Sequence, residues 1–406
     1  MSLLIKNIGR LYTPLKSLEY GKIQELRDVQ IYIEDGKIVS ILESEDTLPE
    51  AAKTIDACGK TALPGFVDAH THPVFWKTRE HEFIMRVQGK SYEEIAEAGG
   101  GIRSSVRRFR EADKSEIKEI TRKRIAKFFE FGVTTIEAKS GYGLSLEDEI
   151  KALEIINELN NEQDLHMVPT FLGAHEVPDE YQDNRRGYIE LLKDKMIPKV
   201  AENNFAKYCD VFCEQGVFTV DESREILLEA QKYGLESRVH ADELSAFGGA
   251  ELAAEINART ADHLVEASEQ GIQDMAGNGV VPVLLPGTTF FLGKDKYAPA
   301  RKMLDMGCEL ALSTDFNPGS STTQNLQLIW TIAALKLKML PNEILWATTL
   351  TPARTLDLAE QIGSIEAGKQ ADLVLLDIPN LNYLPYHYGI NHTWMTLKKG
   401  EVVYQK

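Results

Sequence analysis

Cysteine is scarce in this chain. Its four copies, Cys58, Cys209, Cys213 and Cys308, are scattered over 406 positions, which argues against a disulfide framework. Cys209 and Cys213 stand close together in YCDVFCEQG, but that segment reads as a strand, where four residues span about 13 Å. That is too far to share a metal, and both read as small buried hydrophobes. Long apolar runs are missing as well. None approaches the roughly 18 residues of a membrane span, and the apolar patch in MSLLIKNIGRLYTP is too short for a signal peptide. Positive charge is in deficit: 45 Lys and Arg face 62 Asp and Glu, a formal net charge of -17. That balance argues against nucleic acid or an anionic membrane as partner. Phosphate-binding signatures are absent too. No G-x-G-x-x-G follows the first strand, and AGGGI at Ala98–Ile102 lacks the lysine and Ser/Thr of a P-loop; it reads as a flexible loop near a pocket. These absences leave a soluble, cytoplasmic protein as the expectation.

What is present is enough apolar sequence, 43% of the chain, to bury a large core. The first sixty residues read as β-structure. VQIYIEDGKIVSILE carries two β-branched runs joined by Asp35-Gly36, a strong hairpin signal. The last forty look alike, in IGSIEAGKQADLVLLD and TWMTLKKGEVVYQK. A lone hairpin is marginal in water, so the two ends are expected to form one small β-sandwich domain, residues 1–63 with 361–406. Between them, over 64–360, short apolar strands alternate with amphipathic stretches that end in glycine. The strands are expected at Gly65–Asp68, Val133–Lys139, Met167–Gly173, Tyr208–Glu214, Ser237–His240, Ala261–Leu264, Val280–Leu285 and Leu310–Thr314. Eight such units predict an α/β fold of the (β/α)₈ TIM barrel type, in preference to a doubly wound open sheet. Charged stretches such as TRKRIAK read as solvated helix faces.

PGFVDAHTHP poses the functional question. On a strand, residues two apart face the same side, so His70 and His72 can reach one point in space. An isolated His-x-His permits a metal without demanding one. The rest of the chain decides. Of nine histidines, five fall at the expected C-terminal ends of strands, where barrel active sites lie: His70, His72, His175, His240 and His263. The others sit at a strand start (His166), in a loop (His81) or in the terminal domain (His387, His392). Asp315 follows the eighth strand in LSTDFNPGSS. Three imidazoles and a carboxylate converging on an open mouth suit zinc or another borderline divalent ion.

The same segments carry a resemblance. PGFVDAHTH, VHADE, STDFNPG and GSIEAGKQADLVLLD resemble the amidohydrolase superfamily. SYEEIAEAGGGI, EAKSGYGL, TFLGAHEVP, FCEQGVF, HADELSAFGGAELA and TADHLVEA are similar, in order, to segments of the imidazolonepropionase family. The resemblance implies a hydrolase of cyclic amides that opens the ring of 4-imidazolone-5-propanoate, giving N-formimidoyl-L-glutamate in histidine degradation. It implies one zinc or iron ion per chain held by His70, His72, His240 and Asp315, and a homodimer. It places Arg79, Tyr142, His175, Glu243, Asn317, Gly319 and Ser320 at substrate or product, and His263 at an acid-base or polarising position. Trp76-Lys77 departs from the small residues of relatives, which bears on the pocket wall there.

The chemistry can be argued separately. Opening a cyclic amide needs an activated water, which a metal supplies at neutral pH, and a group to move protons. Glu243, three residues beyond His240, is the expected shuttle, with Asp315 as its competitor; a helix N-terminal acid is the plainer reading of Glu243. His263 can stabilise charge on the carbonyl oxygen, or serve as a hydrogen-bonded core histidine beside Asp262. Arg79 offers a bidentate fork for a carboxylate, and Tyr142 a hydroxyl. Other cyclic amidohydrolases or aminohydrolases would use the same scaffold, and a non-catalytic metal-binding barrel is a further alternative. A binuclear site would need a carboxylated lysine at the end of the fourth strand. There the only nearby lysine, Lys207, opens the strand instead.

Overall fold

The computed structural model describes residues 2–43, 45–90, 94–95 and 98–406. Both chain ends meet in one sheet. Its strands are β1 (Ser2–Thr13), β2 (Gln24–Glu34), β3 (Lys37–Leu42), β4 (Lys53–Asp56) and β5 (Thr61–Pro64). Eight strands from the middle of the chain build a separate sheet, and the last three strands, β14 (Leu373–Leu376), β15 (Thr393–Lys398) and β16 (Glu401–Gln405), return to the first. The seam is β14 lying antiparallel on β5, with Val374 opposite Leu63. The β2–β3 turn is Asp35-Gly36, both with positive φ (49° and 76°), as a type I′ hairpin turn requires. Ile5, Ile31, Leu373 and Leu397 belong to the core of this part.

The second sheet runs β6 (Phe66–Asp68), β7 (Val133–Lys139), β8 (His166–Ala174), β9 (Tyr208–Cys213), β10 (Glu236–Ala241), β11 (Thr260–His263), β12 (Val281–Leu284) and β13 (Ala311–Leu312). All neighbours pair parallel, in chain order. This is the (β/α)₈ barrel expected from the alternation of strands and helices. The last strand is shorter than its sequence suggested because Ser313 and Thr314 turn to close the ring. Ser313 Oγ accepts from Ala69 N at 2.9 Å, and Asp68 accepts from Thr314 N and Oγ1 at 3.0 and 2.6 Å. A bridge between Thr71 and Phe316 completes the closure.

Several local expectations change. His81, expected in a loop, lies in the helix Glu80–Val87. Gly101 and Ile102 open the helix Gly101–Glu111 rather than continuing a loop, and SYEEIAEAGGGI lies partly outside the described residues. In TRKRIAK, Lys123, Ala126 and Lys127 are exposed, but Thr121 and Ile125 are buried and Arg124 turns inward, its guanidinium 3.5 Å from the Phe75 ring centroid. Cys209, Cys213 and Cys308 are buried free thiols and Cys58 is exposed. Among the described residues, no helix is long and apolar enough to cross a membrane.

Candidate metal centre

The floor of the barrel mouth is made of histidines. His70 and His72 leave β6 with Thr71 pinned between them: Thr71 Oγ1 donates to the Glu137 carbonyl and Thr71 N to Glu137 Oε2. Fixing the middle residue aims both imidazoles the same way, and their Nε2 atoms stand 3.4 Å apart. His240, near the end of β10, joins them; one nitrogen from each of the three lies within 4.8 Å of the others. Asp315 comes from beyond β13, its Oδ1 3.5 Å from His70 Nε2 and 3.4 Å from His72 Nε2. Its Oδ2 accepts from Thr288 Oγ1 at 2.6 Å.

Behind the floor, two carboxylates hold the far nitrogens. Asp262 Oδ2 accepts from His70 Nδ1 at 2.6 Å, and Asp210 Oδ2 lies 3.0 Å from His240 Nδ1. Burial holds His70 and His72 neutral, well below the ordinary histidine range. Burial also opposes charge on His240, but Asp210 outweighs it and raises that pKa. Nitrogen lone pairs facing one another at such range repel unless a cation sits among them. Three nitrogens, one carboxylate oxygen and carboxylate-backed imidazoles suit a borderline divalent ion. The residues fit a metal.

One wall carries Glu243 and His263, with Glu243 Oε2 3.6 Å from His263 Nε2. Burial, reinforced by Asp315, pushes Glu243 up to about 7; burial pushes His263 down to about 3. The loops that present these groups hang on other buried carboxylates. Asp242 accepts from the backbone N–H of Phe247, Gly248, Gly249 and Ala250. Glu214 takes Leu244 N, and Glu149 takes those of Gly141, Gly143 and Leu144 around Tyr142. Asp242, His263, Leu264 and Asp315 all adopt positive φ (49°, 74°, 60° and 53°). Non-glycine residues in that region cost of order 1 kcal/mol each, and such strain gathers at functional sites.

A cavity of about 460 Å³ opens above the floor. Every site residue expected from sequence lines it except His70, which is buried directly beneath. Arg79 lies against Gly319, its Nε 3.1 Å from Glu82 Oε2. His175 Nδ1 donates to the Gly141 carbonyl at 2.8 Å and its ring stacks on His72. Asn317 Oδ1 accepts from Gly319 N and Ser320 N, both at 2.8 Å. Trp76 and Lys77 do not line this cavity; they stack on each other beside a separate depression with His81 and Arg108. The wall is therefore unaffected by that departure. Lys207 pairs with Asp357 outside the mouth, so no lysine reaches the floor from the fourth strand.

Sequence reasoning missed Glu137, Lys139, Asp210, Thr288, Glu82 and Arg86. For the first three there was a signal: charged residues inside apolar strand runs are almost never buried unless paired. Arg86 lines the cavity and donates to the Gly319 carbonyl at 3.3 Å; a helical arginine carries no such signal.

Fold and site together define a barrel of the amidohydrolase kind, with three buried histidines at its mouth that could hold a metal. A model described as the amidohydrolase family matches residues 61–405. Among curated proteins, the imidazolonepropionase of Thermoanaerobacter pseudethanolicus is 47% identical over 98% of this chain and 97% of its own. That of Shouchella clausii is 50% identical over 86% and 78%. Among solved structures, a guanine deaminase of E. coli superposes with a TM-score of 0.77 at 15% identity, covering 100% of both chains. A zinc-bound adenosine deaminase of Xanthomonas campestris gives 0.72 at 19%, covering 98% of this chain and 92% of its own; at such identities these two speak for the fold alone. The chain belongs to the amidohydrolase family and, within it, to the imidazolonepropionases.

Proposed function

We propose that this chain hydrolyses 4-imidazolone-5-propanoate to N-formimidoyl-L-glutamate, a step of histidine degradation. One zinc or iron ion per chain is held by His70, His72, His240 and Asp315. The observation that carries this reading is the single cavity that joins the histidine floor to Glu243 and His263 and to the guanidinium of Arg79, in a chain so near to imidazolonepropionases along its whole length.

In the reaction, water adds its oxygen to the ring carbonyl carbon and the adjoining C–N bond breaks. The freed nitrogen takes a proton and the new carboxyl loses one. A bound divalent ion supplies acidification of water and polarisation of the carbonyl. Glu243 takes the water's proton and returns it to the leaving nitrogen; a pKa of about 7 suits both transfers near neutrality. Asp315 is the weaker candidate, because Oδ1 faces the imidazoles and Oδ2 is occupied by Thr288. His263, kept neutral by burial, donates an N–H to the developing oxyanion. Arg79 and Tyr142 receive the propanoate carboxylate, while His175, Asn317, Gly319 and Ser320 enclose the ring and product. The homodimer and the cytoplasmic setting implied by the family belong to the same proposal. The test is direct: purified protein should consume imidazolone propanoate and release formimidoyl-glutamate. Turnover of a purine or another cyclic amide in its place would overturn the substrate.

A further inference from the structure

Beneath the histidine floor lies a charge cluster that the reaction as described does not use. Lys139, the last residue of β7, is fully buried. Its Nζ lies 2.7 Å from Glu137 Oε1, 2.7 Å from Asp210 Oδ2 and 3.8 Å from Asp262 Oδ2. Each of these carboxylates leads to one part of the floor. Glu137 pins Thr71 between His70 and His72. Asp262 accepts from His70 Nδ1, and Asp210 Oδ2 lies 3.0 Å from His240 Nδ1. The Lys139 backbone N–H, moreover, donates to the Thr71 carbonyl at 2.9 Å.

The atoms used are informative. Asp210 presents the same oxygen, Oδ2, to both the ammonium and the imidazole, and Asp262 Oδ2 faces both as well. The Oδ1 atoms of both have no partner among the described residues. A carboxylate meant only to balance the lysine would offer its free oxygen. Here the ammonium hydrogen-bonds the Asp210 oxygen that faces His240 and lies 3.8 Å from the Asp262 oxygen that takes His70. Arg238 is the other buried cation beneath the floor among the described residues, but its guanidinium donates to the carbonyls of Ala69 and Thr355, and its Nη1 lies 3.9 Å from Glu137 Oε1. Lys139 alone among the described cations touches both carboxylates that back the floor.

We propose that Lys139 is a positioning residue for the metal site, clamping Asp210, Asp262 and Glu137 so that the three histidines present their nitrogens to one point. This rests on the proposed ligand set. A lone buried cation removed from three carboxylates threatens the fold, so the test uses two variants: Lys139→Met, and Lys139→Met with Glu137→Gln, which removes the ammonium and one carboxylate together. The readouts are release of metal from the loaded full-length protein into a chromophoric chelator, the visible spectrum of the cobalt-loaded protein, and kcat against KM. Partners of metal-bound histidines carry roughly 10- to 100-fold in metal affinity. The expected result for a folded variant is a loss in that range, an altered cobalt spectrum, and a fall in kcat with KM within about twofold. Parent-like metal retention with an unchanged cobalt spectrum overturns the proposal. So does collapse of the fold in both variants, which would make Lys139 a pillar of the barrel. Failure of the parent itself to bind metal is a different result and overturns the ligand set.

Discussion

Gly319→Ala offers a clean perturbation of substrate recognition. A Cβ at that position would fall 1.8 Å from Arg79 Nη2, 2.3 Å from Cζ and 2.9 Å from Nε. Ordinary contacts begin near 3.5 Å, so the guanidinium must move by more than 1 Å, roughly the difference between those distances. The backbone has no objection, since Gly319 is not among the positive-φ glycines. What yields is the end of a flexible side chain, and the fold survives. The displaced guanidinium strains its ion pair with Glu82, whose Oε2 lies 3.1 Å from Nε while Oε1 takes Gly101 N.

Displacing the fork costs the proposed carboxylate contact. A hydrogen bond to a charged group contributes about 1.5–3 kcal/mol, so kcat/KM should fall about 10- to 150-fold, chiefly through KM. Steady-state kinetics on imidazolone propanoate and on an analogue lacking the carboxylate measure it, with Arg79→Met alongside. The analogue should lose little, and the double variant should be no worse than Arg79→Met alone. Gly319→Ala within twofold of the parent, or an equal loss on both substrates, refutes the placement of the carboxylate at Arg79.

Other outcomes follow from the site. Glu243→Gln should keep metal and fold but lose about 10²–10⁴-fold in kcat; in the parent, kcat should rise as pH passes about 7, because the base works ionised, and that limb should vanish in the variant. His70→Ala and Asp315→Ala should each bind less than one metal per chain by elemental analysis; full retention in both, or two metals in the parent, contradicts the ligand set. Asp242→Asn should unfold close to the parent temperature because it keeps the oxygen serving three N–H groups. Asp242→Ala strands four donors, of which the two buried ones, Gly249 N and Ala250 N, cost about 1–3 kcal/mol each, and equal melting of the two variants would disprove that role.

The depth at which this site can be read from sequence has a physical boundary. His70, His72, His240, His263 and Asp315 were legible because barrel topology puts strand ends together, so a position in the strand-helix alternation is already a position in space. Asp210, Asp262, Glu137 and Lys139 sit one layer lower, on strand residues facing the barrel interior. Their charge is anomalous in apolar runs, but which carboxylate backs which histidine depends on register between strands, such as His240 opposite Asp262 and Phe212. Arg86 and Glu82 were silent for another reason: both lie on a helix after β6 whose approach to the mouth is set by loop packing, and no period in the chain encodes it. The division has a consequence for mechanism. The groups proposed to meet the substrate stand on strand ends and loops, where single residues can change without disturbing the barrel. The oxygens behind the floor histidines lie inside the barrel, each facing both one imidazole and the Lys139 ammonium. Substrate choice can therefore drift among relatives of this fold while the floor stays fixed, because altering the floor piecemeal leaves a buried charge without its partner.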